Sequence, residues 1–188
     1  MNRKMFYIIL NLFVLLLISC AHTLIIQPHM GPGPQRELAA DTAAMYIPTS
    51  TLNMEYETST FFGGKTIMPL GTAVKELSQE AFAPFYRRLF YQARRDYTDI
   101  DHLIEVSIDS FKMTEGLDSH VVISVSISDS EESIWSGSFE GKGSGKAAAG
   151  LLAGSLARSQ LNKSASAAFV DAFTKAREAY SEFLEKEK

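Results

Sequence analysis

Between His102 and Glu140 apolar and polar residues alternate in three successive runs. Ile104, Val106 and Ile108 alternate with Glu105, Ser107 and Asp109. Val121, Ile123, Val125 and Ile127 alternate with Ser124, Ser126 and Ser128, and Trp135 and Phe139 share one side of the run Ile134–Glu140. Successive side chains of a strand point to opposite faces, so each run predicts a strand with one apolar and one polar side. The connections Thr114–Asp118 and Asp129–Glu132 are of hairpin length. Together the runs predict a three-stranded antiparallel meander covered on one face only.

The rest of the chain has to supply that cover. From Ser164 onward Ala165, Ala168, Phe169, Ala172, Phe173, Ala176, Tyr180, Phe183 and Leu184 form an apolar stripe at helical spacing, and Leu151–Leu161 also reads as helical. A second helix is expected over Thr72 to about Gln92, where Val74, Leu77, Ala81, Phe85 and Leu89 share a face and Thr72 can act as cap. Pro84 removes the bond to the carbonyl of Glu80 and is expected to kink or split it. Upstream, short strands are expected at Leu24–Gln27 and around Asn53–Thr60, with an apolar run at Ala44–Ile47. The economical fold is α+β: a two-layer sandwich whose mixed/antiparallel sheet contains the meander and carries both main helices on one face.

The N-terminus carries a different signal. A basic start (Arg3, Lys4), an apolar run from Met5 to Ile18 and small Ser19 before Cys20 form an export signal, and the run is too short for the ~20 residues that span a bilayer. Leu17-Ile18-Ser19-Cys20 resembles the bacterial lipobox. That resemblance implies cleavage before Cys20 and diacylglycerol on its sulfur, and acyl chains of this kind (palmitate and its like) hold a protein on a membrane. Ala21, where inner-membrane retention uses Asp, directs the expectation to the outer membrane with the domain facing the periplasm. The expected organisation is residues 1–19 as signal peptide, 20–43 as a lipidated N-terminus with a short strand and a Pro/Gly tether, and 44–188 as one α+β domain.

Cys20 is the only cysteine, so the domain has no disulfides. Removing residues 1–19 leaves 169 residues with 16 basic and 22 acidic side chains, a formal charge of −6. That balance argues against nucleic-acid binding.

The chain shows little catalytic chemistry. Gly141-Lys-Gly-Ser-Gly-Lys146 imitates a phosphate loop, but Glu140 stands where the first glycine belongs and Ala147 where Ser or Thr would hold magnesium. It is read as a mobile hairpin end. Asp101 and His102 are strand neighbours pointing to opposite faces. His22, His29, His102 and His120 lack metal-site spacing, and no Gly-x-Ser-x-Gly elbow occurs. No cofactor and no metal are expected. Arg87, Arg88, Arg94 and Arg95, near the end of the expected helix, form a candidate site for an anionic ligand, with helix-end charge compensation as the alternative. Phe61, Phe62 and Trp135 form a candidate contact patch, with core packing as the alternative.

Several features combine: the lipobox, a strand soon after Cys20, the helix pattern Leu77-(x)3-Ala81-Phe82-(x)7-Phe90, the opening Asp101-His-Leu-Ile104 of the meander, a Gly-rich turn and a closing Ala/Phe helix. This layout resembles small envelope lipoproteins, of the LptE-like lipopolysaccharide-assembly type or the auxiliary lipoproteins of ABC-type lipid transport. The resemblance implies a non-enzymatic accessory that docks onto a larger envelope machine or binds an envelope lipid. A structural subunit of a secretion or motility complex and a lipid-anchored hydrolase are the alternatives.

Overall fold

The computed structural model describes residues 21–31, 33, 39–60, 64–114, 117–130, 132–145 and 154–186. The signal segment, Cys20, Phe61 and Phe62 lie outside them. In chain order the elements are β1 (His22–Thr23), β2 (Ala40–Tyr46), α1 (Thr49–Leu52), β3 (Glu55–Thr60), β4 (Gly64–Pro69), α2 (Gly71–Phe82), a 3-10 turn (Ala83–Phe85), β5 (Tyr86–Gln92), β6 (His102–Met113), β7 (Ser119–Asp129), β8 (Glu132–Gly143) and α3 (Gly154–Lys186).

A five-stranded sheet in the order β5-β2-β6-β7-β8 forms one layer. β6, β7 and β8 are the antiparallel meander, and β2 runs parallel to both β5 and β6, which makes the sheet mixed. Val106, Val121, Ile123, Val125 and Ile127 are buried on one face. Against them pack Ala73, Val74, Leu77, Ala81 and Phe82 of α2 and the stripe Ala165–Tyr180 of α3, in one core. The fold is the two-layer α+β arrangement, with both main helices on one side.

The closing helix lies very close to β8. A Cβ on Gly141 would fall 1.9 Å from the Ala168 carbonyl oxygen, and one on Gly143 would fall 1.9 Å from that of Ser164. The glycines therefore do not mark a mobile hairpin end. They belong to β8, where the absence of side chains lets Ser164, Ala168 and Ala172 approach the strand backbone. The buried Ser164 hydroxyl fixes the contact, 2.9 Å from both the Gly143 carbonyl oxygen and the Ser119 hydroxyl.

Four expectations need correction. The helix over Thr72–Gln92 ends at Phe82; Phe85 lies in the 3-10 turn, and Leu89 and the arginines Arg87 and Arg88 lie on β5. Pro84 has no N–H to continue the helix, and Tyr-Arg-Arg-Leu-Phe-Tyr-Gln is rich in aromatic residues that suit a strand. Thr72 lies inside α2, whose N-cap position is Leu70 and carries no side-chain cap bond. The strand expected at Leu24–Gln27 sits instead at His22–Thr23, because Ile26 leaves the ladder to be fully buried.

The fourth concerns the tether. β2 crosses its expected end at residue 43, and residues 24–31 are strapped onto the body. Met30 is 3% exposed, its N–H donates to Glu80 Oε2 at 2.7 Å, and His29 Nδ1 lies 2.9 Å from Glu80 Oε1. Proline and glycine deny this segment regular structure, but its apolar side chains still bind it to the core.

A second sheet, β1-β4-β3, was not legible in the sequence. β3 and β4 form an antiparallel hairpin and β1 adds in parallel to β4. Tyr56 of β3 packs edge-on against Phe111 of β6 at 5.0 Å, tying the two sheets together.

Candidate functional site

The helices cover one face of the large sheet. On the other face the alternation that built the core projects hydroxyls. Ser107, Ser124 and Ser138 stand side by side across β6, β7 and β8, and Glu105, Ser126 and Ser136 form the adjacent row. With Arg95 and the backbone at Val125 and Gly137 they line a shallow concavity of ≈ 440 Å³. The loop 93–101 forms one rim: Arg95 bonds Glu105 and lies 5.8 Å from the ring of Tyr46, and the Tyr97 hydroxyl lies 3.1 Å from Ser128 Oγ. Leu103 is 1% exposed although it points away from the helices.

Chemically this is a hydrogen-bonding surface, since each hydroxyl both donates and accepts, with the paired charges of Arg95 and Glu105 beside it. The Ser124 hydroxyl donates to Asp109 Oδ2 directly. The nearest imidazole on that strand, His120, is four residues away, ~13 Å along a strand, and lies 3.4 Å from Glu140. Serine, imidazole and carboxylate do not assemble into a nucleophile, base and orienter here. Alternating serines on three adjacent runs were the available signal for this face; a polar strand face is ordinarily solvated, so they did not mark a site.

The four arginines do not converge. Arg87 and Arg88 are strand neighbours directed to opposite faces of β5. Arg87 Nε lies 3.4 Å from Asp41 Oδ1, and Arg88 stacks 5.1 Å from the ring of Phe90. Arg94 is exposed in the following bend, and Arg95 alone reaches the serine concavity. Neither α2 nor the 3-10 turn carries a basic residue in its last turn, so the dipole explanation also lapses. Trp135 is half-buried against α3, its ring 5.1 Å from that of Tyr180 and 5.8 Å from that of Phe139. Phe61 and Phe62 lie outside the described residues, as does Cys20.

Asp101 and His102 diverge as strand neighbours should. Asp101 accepts the Thr42 N–H at 2.8 Å, while His102 Nδ1 lies 3.3 Å from the Tyr86 hydroxyl, itself 2.8 Å from the Tyr180 hydroxyl. Burial pushes the Tyr86 phenol well above its ordinary range and that of Tyr180 up to about 12, the bond from Tyr86 opposing the latter rise. Burial holds the imidazole of His102 below its ordinary value, against the nearby Asp129 and Asp101. Among the described residues no group of three or more His, Cys, Asp or Glu side chains is placed to hold a metal. None of the described helices is long and apolar enough to cross a membrane.

No protein-family model matches the chain, and no curated protein does. Solved structures do resemble it. A DUF330 protein from Xanthomonas campestris superposes with a TM-score of 0.62 over 88% of this chain and 99% of its own, at 6% identity. A provisionally assigned lipoprotein from Caulobacter crescentus gives 0.40 over 63% of this chain and 85% of its own, at 14% identity. The PelC dodecamer of Paraburkholderia phytofirmans gives 0.39 over 76% and 94%, also at 14% identity. The first of these shares the fold; the other two are looser likenesses.

Proposed function

We propose that this chain is a lipid-anchored accessory of the bacterial envelope, held on the outer membrane through acyl chains on Cys20. In this reading its α+β domain faces the periplasm and acts without a catalytic centre, by binding another envelope protein or an envelope lipid. The observation that carries the reading is an export signal ending in Leu-Ile-Ser-Cys, joined to a body whose open face offers hydroxyls but no assembled nucleophile and base. The formal charge of −6 after processing gives the body no general attraction to anionic lipid, so covalent chains must supply the attachment.

Labelling with a palmitate analogue tests the anchor. Wild type should be labelled and Cys20→Ala should not; equal labelling of the two would remove the anchor from the proposal. Mild crosslinking followed by purification separates the partner classes. A stoichiometric protein partner would support docking onto a larger assembly, and bound lipid without a protein would support lipid carriage. A multi-copy ring of this chain alone would favour a structural subunit instead.

A further inference from the structure

The chain enters its fold almost at once after the anchoring residue. His22 pairs with Thr66 and Thr23 with Ile67, in parallel, and the Leu24 N–H continues the ladder to the Ile67 carbonyl oxygen at 2.8 Å. Beyond that point the segment stays fixed. Asn162 Nδ2 donates to the Ile25 carbonyl oxygen at 3.2 Å, Ile26 is fully buried, and Arg177 Nη1 donates to the Gly31 carbonyl oxygen at 3.3 Å. Two residue steps separate Cys20 from His22, a reach of at most about 7 Å. A free tether over residues 20–43 would have reached roughly 80 Å by the same measure.

The direction of β1 then decides which end of the body meets the lipid. β1 is parallel to β4, so its start lies at the end of the small sheet where β4 starts. That is also where Thr60 pairs with Gly64 as β3 passes into β4, and where Lys65 stands half-exposed beside Glu57 at 2.9 Å.

We infer that this end of the β1-β4-β3 sheet rests on the bilayer that holds the acyl chains. The inference builds on the lipid-anchor reading and adds an orientation to it. With so little slack, the body stands on the headgroup layer and cannot sweep the periplasm. The serine face is thereby held at a set height above the membrane.

The test uses the full lipidated chain on vesicles of phosphatidylethanolamine and phosphatidylglycerol. Because the Cys20 sulfur is acylated, one introduced cysteine can be labelled alone with an environment-sensitive fluorophore. Lys65→Cys and, independently, Glu57→Cys report the proposed contact. Glu132→Cys reports the far end of the large sheet, ~26 Å along β7 from the Phe111–Val121 row beside which β3 packs. Nitroxide lipids should quench labels at 65 and 57 at least threefold more than the label at 132. Equal quenching at all three positions, on vesicles that float with their protein, would overturn the orientation while leaving the anchor intact. Failure of the wild-type chain to float, matching Cys20→Ala, would overturn the anchor and the orientation together.

Discussion

Tyr180 of α3 has no exposed surface, yet it carries a hydroxyl. Its ring is packed among Phe82, Phe85, Trp135 and Phe183, and among the described residues its hydroxyl is bonded to the Tyr86 hydroxyl at 2.8 Å. Tyr86 has a second partner in His102. This asymmetry predicts unequal costs. Tyr86→Phe strands the Tyr180 hydroxyl in an apolar pocket and should cost about 1–3 kcal/mol, whereas Tyr180→Phe leaves Tyr86 bonded to His102 and should cost less, about 1 kcal/mol. Changing both removes the stranded group, so the double variant should be more stable than Tyr86→Phe alone. Urea unfolding midpoints at constant slope measure all three. Additive losses in the double variant would contradict the pairing.

At the scale of elements, Gly141 and Gly143 decide how closely α3 sits on β8. Adding one methyl at Gly143 places it against the Ser164 carbonyl, and the helix can yield only by giving up contacts made by Ala165, Ala168 and Ala172. Gly143→Ala should destabilise by at least the 1–3 kcal/mol typical of overpacking, read as a drop in thermal midpoint. Gly31→Ala, where an added methyl meets nothing within 4 Å, is the control and should leave the midpoint nearly unchanged. These glycines also show where the sequence was hard to read. Their run looked like a loop because glycine has poor strand propensity, and only the tertiary approach of a small-residue helix explains them. The meander and the closing helix were legible because each keeps one period for many residues. The helix–strand boundary at Phe82 was hidden because Phe85 and Leu89 continue a helical period by coincidence while sitting on a turn and a strand. β4, six residues bounded by Gly64 and Pro69, is too short for any period to show. The serines of the open face were legible as a polar side, but their assembly into rows depends on the register between strands, which no single run contains.

For the whole molecule, the buried phenols and the half-buried imidazole set limits on pH from both sides. His102 has its imidazole value lowered by burial from an ordinary 6.5. The unfolded chain therefore takes up this proton at a higher pH than the folded one. Its contribution to stability is complete above pH 6.5 and is lost as pH falls toward the folded value. Asp171, held low by Lys175 and the Lys142 N–H against its burial, and Glu140, held low by His120 and then Lys142, act in the same direction nearer their ordinary values of 3.8 and 4.5. Tyr86 and Tyr180 act at the other end. Their phenols stay protonated in the fold above the ordinary 10.0, so stability is complete below pH 10 and falls as pH rises toward the value of about 12 for Tyr180. The resistance to urea should thus be flat from about pH 7 to 10 and decline on either side. The decline that begins as pH falls below 6.5 should follow a single proton until the carboxylates titrate, at most about 1.4 kcal/mol per pH unit. His102→Gln keeps a hydrogen-bonding group opposite Tyr86 and removes that titration. It should flatten the slope just below pH 6.5 while leaving the loss above pH 10 unchanged. If the wild-type slope in that window survives the substitution, the acid limit of this fold lies in groups other than the imidazole beneath Tyr86.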